Sequence, residues 1–242
     1  MTWPIWPWYL GSDFFPQLVK IKIIKKKVVI IFIKFPFYIY SESLIAFNFL
    51  KLANTFKKTD PLICFAAKSN SNLNILRVLS KLGAGADVVS GGELLKALKA
   101  GIRPNKIVFS GVGKTEEELK IAINKKILLI NCESESEAKL VNNLSKKLRK
   151  KVSIGFRLNP NVDAKTHKNI STGKAENKFG LSIKNFKVFL KTVKSFKNVK
   201  LDALSVHIGS QILNDAPFRL SLIHIWRCRR IERCRSRWSP YH

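Results

Sequence analysis

The sequence predicts an α/β fold of the (β/α)8 barrel type, incomplete at about six of its eight strands. Two observations predict it. From Pro61 to Ile208, short apolar runs alternate with segments whose apolar residues recur at helical spacing; that is the pattern of a parallel sheet covered by helices. No Gly-x-Gly-x-x-Gly fingerprint follows any of these runs, which favours a barrel over a doubly wound dinucleotide-binding sheet.

The elements follow in order. Residues 1–34 form an uncertain segment. Within it Lys20–Ile33 is a candidate edge strand pair whose alternation is broken by Lys25, Lys26 and Lys27, and Phe35–Ser41 reads as a short strand. The apolar runs are then Leu62–Ala67, Ala86–Val89, Lys106–Phe109, Ile127–Ile130, Val152–Leu158 and Leu201–Ile208. Helical stretches lie between them at Asn72–Leu82, Gly92–Ala100, Thr115–Asn124, Ser134–Lys150 and, after a long polar loop, Ile183–Ser195. Ser71 is placed to cap the first of these helices, and Ser134 with Glu137 three residues on has the form of a capping box. A barrel with six strands has open edges and an unsealed core.

Length and composition set the outer limits. The chain has 242 residues, 46% of them apolar, enough for one large domain or two small ones. A formal charge of +28 suggests a polyanion or an anionic membrane as partner. Its distribution argues otherwise. Residues 35–218 carry 27 Lys, 4 Arg and 14 acidic residues, the Lys mostly on expected helix surfaces such as Lys146, Lys147, Lys150 and Lys151. The last 24 residues hold 7 Arg, no Lys and one acid. The expectation is no nucleic-acid partner and no membrane partner. The run Val28–Ile33 is too short to span a bilayer, and the Trp-rich opening has no basic leader. Cys64, Cys132, Cys228 and Cys234 have no metal-binding or disulfide spacing. Cys64 and Cys132 read as buried free thiols in a reducing, cytoplasmic setting.

Residues 35–220 are read as the partial barrel. The segment 221–242 switches from Lys to Arg and regains Trp and Cys, and is read as foreign sequence joined after about Leu220.

In a barrel, functional side chains gather at the carboxyl ends of the strands. Those ends here hold Lys68, Asp87 with Ser90, Ser110, Asn131, Arg157, and His207 with Ser210. Lys68 closes an apolar strand, where partial desolvation would lower its pKa and make the amine a nucleophile toward carbonyls. The plainer reading is a Lys that merely snorkels from a strand end. His207 closes the last run and could face a ring-shaped cofactor. Gly209 would let backbone amides approach a phosphate, with the Ser210 hydroxyl as a further donor. Gly111-Val112-Gly113-Lys114-Thr115 has the end of a Walker loop, but Val108 stands where its first Gly is required, so it is read as a loop and helix start.

These residues sit in motifs that resemble a known family. Cys64–Asn70 (CFAAKSN), Leu82–Leu94 (LGAGADVVSGGEL), Lys106–Thr115 (KIVFSGVGKT), Arg157–Asp163 (RLNPNVD), Thr166–Gly173 (THKNISTG), Asn177–Gly180 (NKFG) and His207–Gln211 (HIGSQ) follow in one order. Together they resemble the fold-type III pyridoxal-phosphate (PLP) decarboxylases, whose barrel is alanine racemase-like. Within these they resemble the diaminopimelate decarboxylase family more than its ornithine and arginine relatives, over roughly residues 35–215.

The resemblance implies a set of roles. Lys68 would hold PLP covalently, Asp87 would help set the protonation of Lys68, and Arg157 would lie close to the ring. His207 would stack on the ring face, and Gly209 with Ser210 would contact the phosphate. The implied reaction is decarboxylation of meso-diaminopimelate to L-lysine, the last step of lysine biosynthesis, in a cytoplasmic homodimer. The family's phosphate loop after strand seven, its Glu-Pro-Gly-Arg motif, its later catalytic Cys and Tyr and its C-terminal β-domain have no counterpart here. The chain is therefore expected to be an N-terminal fragment with little activity by itself. The alternatives are an ornithine- or arginine-decarboxylase-like enzyme, or a non-catalytic PLP-binding protein.

Overall fold

This computed structural model of the chain describes residues 18–23, 27–32, 38–160, 162, 180–209, 212, 215–220 and 223. The chain divides into two compact units, Met1–Ser41 and Glu42–His242. In the first, β1 (Leu18–Ile23) and β2 (Lys27–Phe32) pair antiparallel, with Leu18 opposite Phe32 and Ile23 opposite Lys27. The strand pair expected within Lys20–Ile33 is thus present. The short strand expected over Phe35–Ser41 is not: residues 38–41 are irregular, and residues 35–37 lie outside the described residues. Tyr38 and Tyr40 are 84% and 52% exposed, so there is no buried face to hold the segment extended.

The second unit begins with α1 (Glu42–Thr55). It continues through β3 (Cys64–Ala66), α2 (Leu73–Lys81), β4 (Gly85–Val88), α3 (Gly91–Lys99), β5 (Ile107–Phe109), α4 (Glu116–Lys125) and β6 (Leu129–Cys132). Then come α5 (Glu135–Lys147), β7 (Val152–Asn159), the two-residue β8 (Leu181–Ser182), α6 (Ile183–Lys194) and β9 (Val199–Val206). Every ladder of this sheet is parallel. The order runs β3-β4-β5-β6-β7, with β9 along β7 and β8 paired to the end of β7. Among the described residues no ladder joins β9 back to β3, so the sheet stays open, as six barrel strands predict.

Strand alternation sorts each strand into two faces. The helix-facing residues Ala86, Val88, Ile107, Phe109, Ile130, Ile154, Phe156 and Leu158 are at most 1% exposed. They join Leu76, Leu94, Leu119, Leu144 and Phe189 in one core. Burying each Leu, Ile or Phe contributes about 1.5–3 kcal/mol. On the other face Asp87, Val108, Leu129, Ala203 and Ser205 are only half-buried.

The helix starts are fixed by side chains. Ser90 caps α3 and Ser134 caps α5, each accepting from a backbone amide three residues on. The capping box expected at Ser134 is only half formed, because the Glu137 carboxylate turns to the Glu133 amide and to Lys114 instead. The full box lies at α4, where Thr115 and Glu118 exchange both bonds. The cap of α2 is Asn72, not Ser71: Asn72 Oδ1 accepts from the Asn74 amide at 2.9 Å. No helix among the described residues is long and apolar enough to cross a membrane.

Candidate functional site

The parallel register brings the strand ends together. Ala66 pairs with Asp87, Asp87 with Val108, and Val108 with Leu129. Asn131 pairs with Gly155, and Arg157 with Ser205. By strand parity Lys68, Asp87, Ser110, Asn131, Arg157 and His207 all project from the face opposite the helices, at or just past the carboxyl ends.

Lys68 sits in a single 3-10 turn (Ala67–Ser69) that follows β3 directly. It is exposed, which corrects the expectation of a partly desolvated ammonium: its strand end looks onto the uncovered side of an open sheet. Asp87 turns toward β5. Its Oδ1 accepts from Ser110 Oγ at 2.6 Å, and Ser110 Oγ in turn accepts from Asn131 Nδ2 at 3.1 Å. This chain of bonds ties the ends of β4, β5 and β6 into one unit. Ser90, also read as a strand-end polar group, is spent on the α3 cap.

Arg157 is held by a residue that the sequence reading passed over. Its guanidinium donates to Glu133 Oε1 at 3.1 Å, with the side chains 16% and 8% exposed. The signal was available: Glu133 lies two residues beyond Asn131 and so shares its strand parity. His207 follows β9, open to solvent over part of its surface. Partial burial, then the charges of Arg157 and Lys68, hold its imidazole below the ordinary 6.5, while Asp87 and Glu133 pull it upward. Charges on four different strand ends thus bear on one ring. Gly209 adopts φ +147°, a backbone region that costs glycine little. Ser210 lies outside the described residues, as do Lys178, Cys228 and Cys234.

The Gly111–Thr115 stretch forms no phosphate loop. The Lys114 side chain is fully buried, its ammonium donating at 2.6 Å each to Gly111 O, Asn131 O and Glu137 Oε1, and standing 5.7 Å from the centre of the Phe109 ring. Gly91, in the Ser-Gly-Gly-Glu motif, is needed for space: a Cβ there would meet Glu118 Cγ at 2.8 Å. Glu118 Oε1 accepts from the Gly91 amide at 2.6 Å. That bond, with a second from Thr115, holds the Glu118 carboxyl below its usual range.

The two thiols in the described residues are free. Burial, reinforced by the nearby Asp87 carboxylate, pushes Cys64 up to about 11, and burial raises Cys132 as well. Cys132 is buried as expected, whereas Cys64 is only half-buried. Neither is a nucleophile at neutral pH. A cavity of about 430 Å³ lined by Lys126, Arg149, Lys150 and Lys151 lies at the opposite, amino-terminal end of β7, away from this cluster.

A lysine, a carboxylate, a guanidinium and an imidazole stand at the carboxyl ends of β3, β4, β7 and β9 of a parallel α/β sheet, the end at which barrel enzymes carry their sites. The model for the pyridoxal-dependent decarboxylase, pyridoxal binding domain, family matches residues 43–231, and the chain belongs to that family. The chain is similar to diaminopimelate decarboxylase from Helicobacter pylori, at 49% identity over 187 residues, covering 76% of this chain and 45% of the relative. It is similar to that from Aquifex aeolicus at 45% over 184 residues, covering 76% and 43%. The crystal structure of diaminopimelate decarboxylase from Helicobacter pylori complexed with L-lysine superposes with a TM-score of 0.79 at 43% identity, covering 81% of this chain and 50% of that one. The chain spans about half the length of the relatives it matches. The fold, the family and the PLP cofactor expected from the motifs agree with these findings.

Proposed function

We propose that this chain forms the cofactor-binding part of a diaminopimelate decarboxylase, which converts meso-diaminopimelate to L-lysine and CO2. The observation that carries the reading is the placement of Lys68, Asp87, Arg157 and His207 at the carboxyl ends of β3, β4, β7 and β9, on one face of the sheet, in a chain of the pyridoxal-binding family. The relative crystallised with L-lysine supports the substrate class.

The described residues fit PLP by their chemistry. Lys68 supplies an amine for the aldehyde carbon, at a strand end open enough to admit the ring. His207, kept neutral over more of the pH range by its surroundings, offers a flat uncharged face. Glu133 fixes the Arg157 guanidinium beside that position. Gly209 with Ser210 would hold the phosphate, and Asp87, anchored by Ser110, would bias the proton on Lys68. When bound, the cofactor supplies an electron sink for the carbanion left by loss of CO2. The protein's share is to orient the scissile carboxylate and return a proton to the same carbon. A homodimer of the full-length protein and a cytoplasmic location belong to the same proposal.

The test is a spectrum of the purified chain with PLP, before and after borohydride, beside Lys68→Ala. A visible chromophore that borohydride fixes onto Lys68, and that Lys68→Ala lacks, supports the reading. A chromophore of equal strength in the variant would sink the assignment of Lys68.

A further inference from the structure

Lys114 is a buried cation without a part in the site as described so far. All three of its ammonium hydrogens are satisfied, by carbonyls of Gly111 and Asn131 and by Glu137. Glu137 gives one oxygen to Lys114 and the other to the Glu133 amide at 2.8 Å. Glu133 in turn grips Arg157. The carbonyl that Lys114 holds belongs to Asn131, whose side chain carries Ser110 and, through it, Asp87. One ammonium therefore fixes the turn between β6 and α5 from which both polar arms of the site extend.

We propose that Lys114 is a positioning residue: by clamping Glu137 and the Asn131 carbonyl it fixes the turn that aims Glu133 at Arg157, and so sets where the guanidinium stands in the strand-end cluster. A buried ammonium suits this task because its three bonds point in different directions, and none can be replaced by water once the side chain is enclosed. The proposal rests on the functional reading above only for what the site is for; the geometry it concerns is present in the chain without cofactor.

The readout is the His207 ring itself. Its titration answers first to partial burial and then to Arg157 on β7, Lys68 after β3, Asp87 on β4 and Glu133 after β6. A shift in His207 shared by variants at Lys114 and at Glu137 is the signature of the relay through Glu133. The experiment follows the His207 ring protons by NMR against pH in the full 242-residue chain without PLP. It compares wild type with the double variant Lys114→Met/Glu137→Gln, which removes both charges together, and with Glu137→Gln alone. Glu137→Gln keeps an oxygen for Lys114 but loses the acceptor for the Glu133 amide. Each is expected to lower the His207 midpoint by about 0.5 pH unit, because Glu133 swings away and its carboxylate offsets less of the positive charge near the ring. Glu118→Ala, which loosens the start of α4 and removes no hydrogen bond of the relay, should move the midpoint far less.

An unchanged midpoint in a folded relay variant would overturn the proposal and leave Lys114 a purely structural tie. Failure of even Glu137→Gln to fold would count against it equally, since the pair would then be holding the fold and not the aim of Arg157. A His207 shift in the relay variants, beside wild type that forms no PLP adduct on Lys68, would uphold the relay and sink the cofactor reading alone.

Discussion

The two faces of the parallel sheet are made of the same strands and live in different surroundings. Along β7, Ile154, Phe156 and Leu158 point at the helices and are at most 1% exposed. The alternate residues Ser153 and Arg157 are half-buried and carry polar work. The same split holds in β5, where Phe109 is sealed and Val108 is not. Stability in this chain therefore sits at the helix–sheet interface, while the chemistry sits on the edge of a face that contributes little to it.

The largest expected effect tests that division. Phe156 packs against Phe189 with ring centres 4.5 Å apart and against Phe186 at 6.3 Å. Phe156→Ala should cost about 3–5 kcal/mol in urea unfolding. Val108→Ala, a change on the open face, should cost about 1 kcal/mol or less. Equal costs would mean that the open face is packed in solution, and the contrast between the faces would fail.

A smaller effect concerns the rim between the faces. Glu118 binds both its own helix start and the Gly91 amide of the neighbouring helix, so Glu118→Ala should cost about 1 kcal/mol through lost capping. The pH dependence has a definite sign. The folded carboxyl titrates below its ordinary 4.5, so the unfolded state binds the proton more readily. The stabilisation is fully present above about pH 4.5 and is lost as the pH falls through the lower, folded value. Urea midpoints of wild type and Glu118→Ala should converge on acidification; a gap that stayed constant down to pH 3 would show that the carboxylate is not what holds the two helices.

How much of this the sequence revealed follows from the same two faces. The six apolar runs were legible because strands buried against helices must be apolar at nearly every sealed position, and all six fall on β3, β4, β5, β6, β7 and β9. Helix α1 was passed over because it buries no residue fully; only Ile45 and Phe49 lean on Ile75, Leu79 and Ala84. Without a sealed stripe, Glu42–Thr55 has no strong helical period to read. At the site, strand-end position alone picked out Lys68, Asp87, Ser110, Asn131, Arg157 and His207. Strand parity placed Glu133 on the same face, but its pairing with Arg157 and the relay from Lys114 stayed hidden because ion pairs between different elements have no sequence spacing. The exposure of Lys68 was missed for a related reason: a strand-end lysine is desolvated only by what covers the open face, which the local sequence does not specify.

The smallest stability effect is the sharpest probe of the comparison. Lys68 is exposed and stands on the open face, so Lys68→Ala should alter stability of the cofactor-free chain by less than about 0.5 kcal/mol. The difference should appear only when PLP is added. A ligand bound to the folded state alone raises stability by about 2.7 kcal/mol at a hundredfold excess over its Kd, and a covalent tie to Lys68 would add to this. Thermal melts of wild type should therefore shift upward with PLP, while those of Lys68→Ala should shift much less. A variant that melts far below wild type without PLP would place Lys68 in the fold's own framework, and the separation of stabilising face from chemical edge would no longer hold at its central residue.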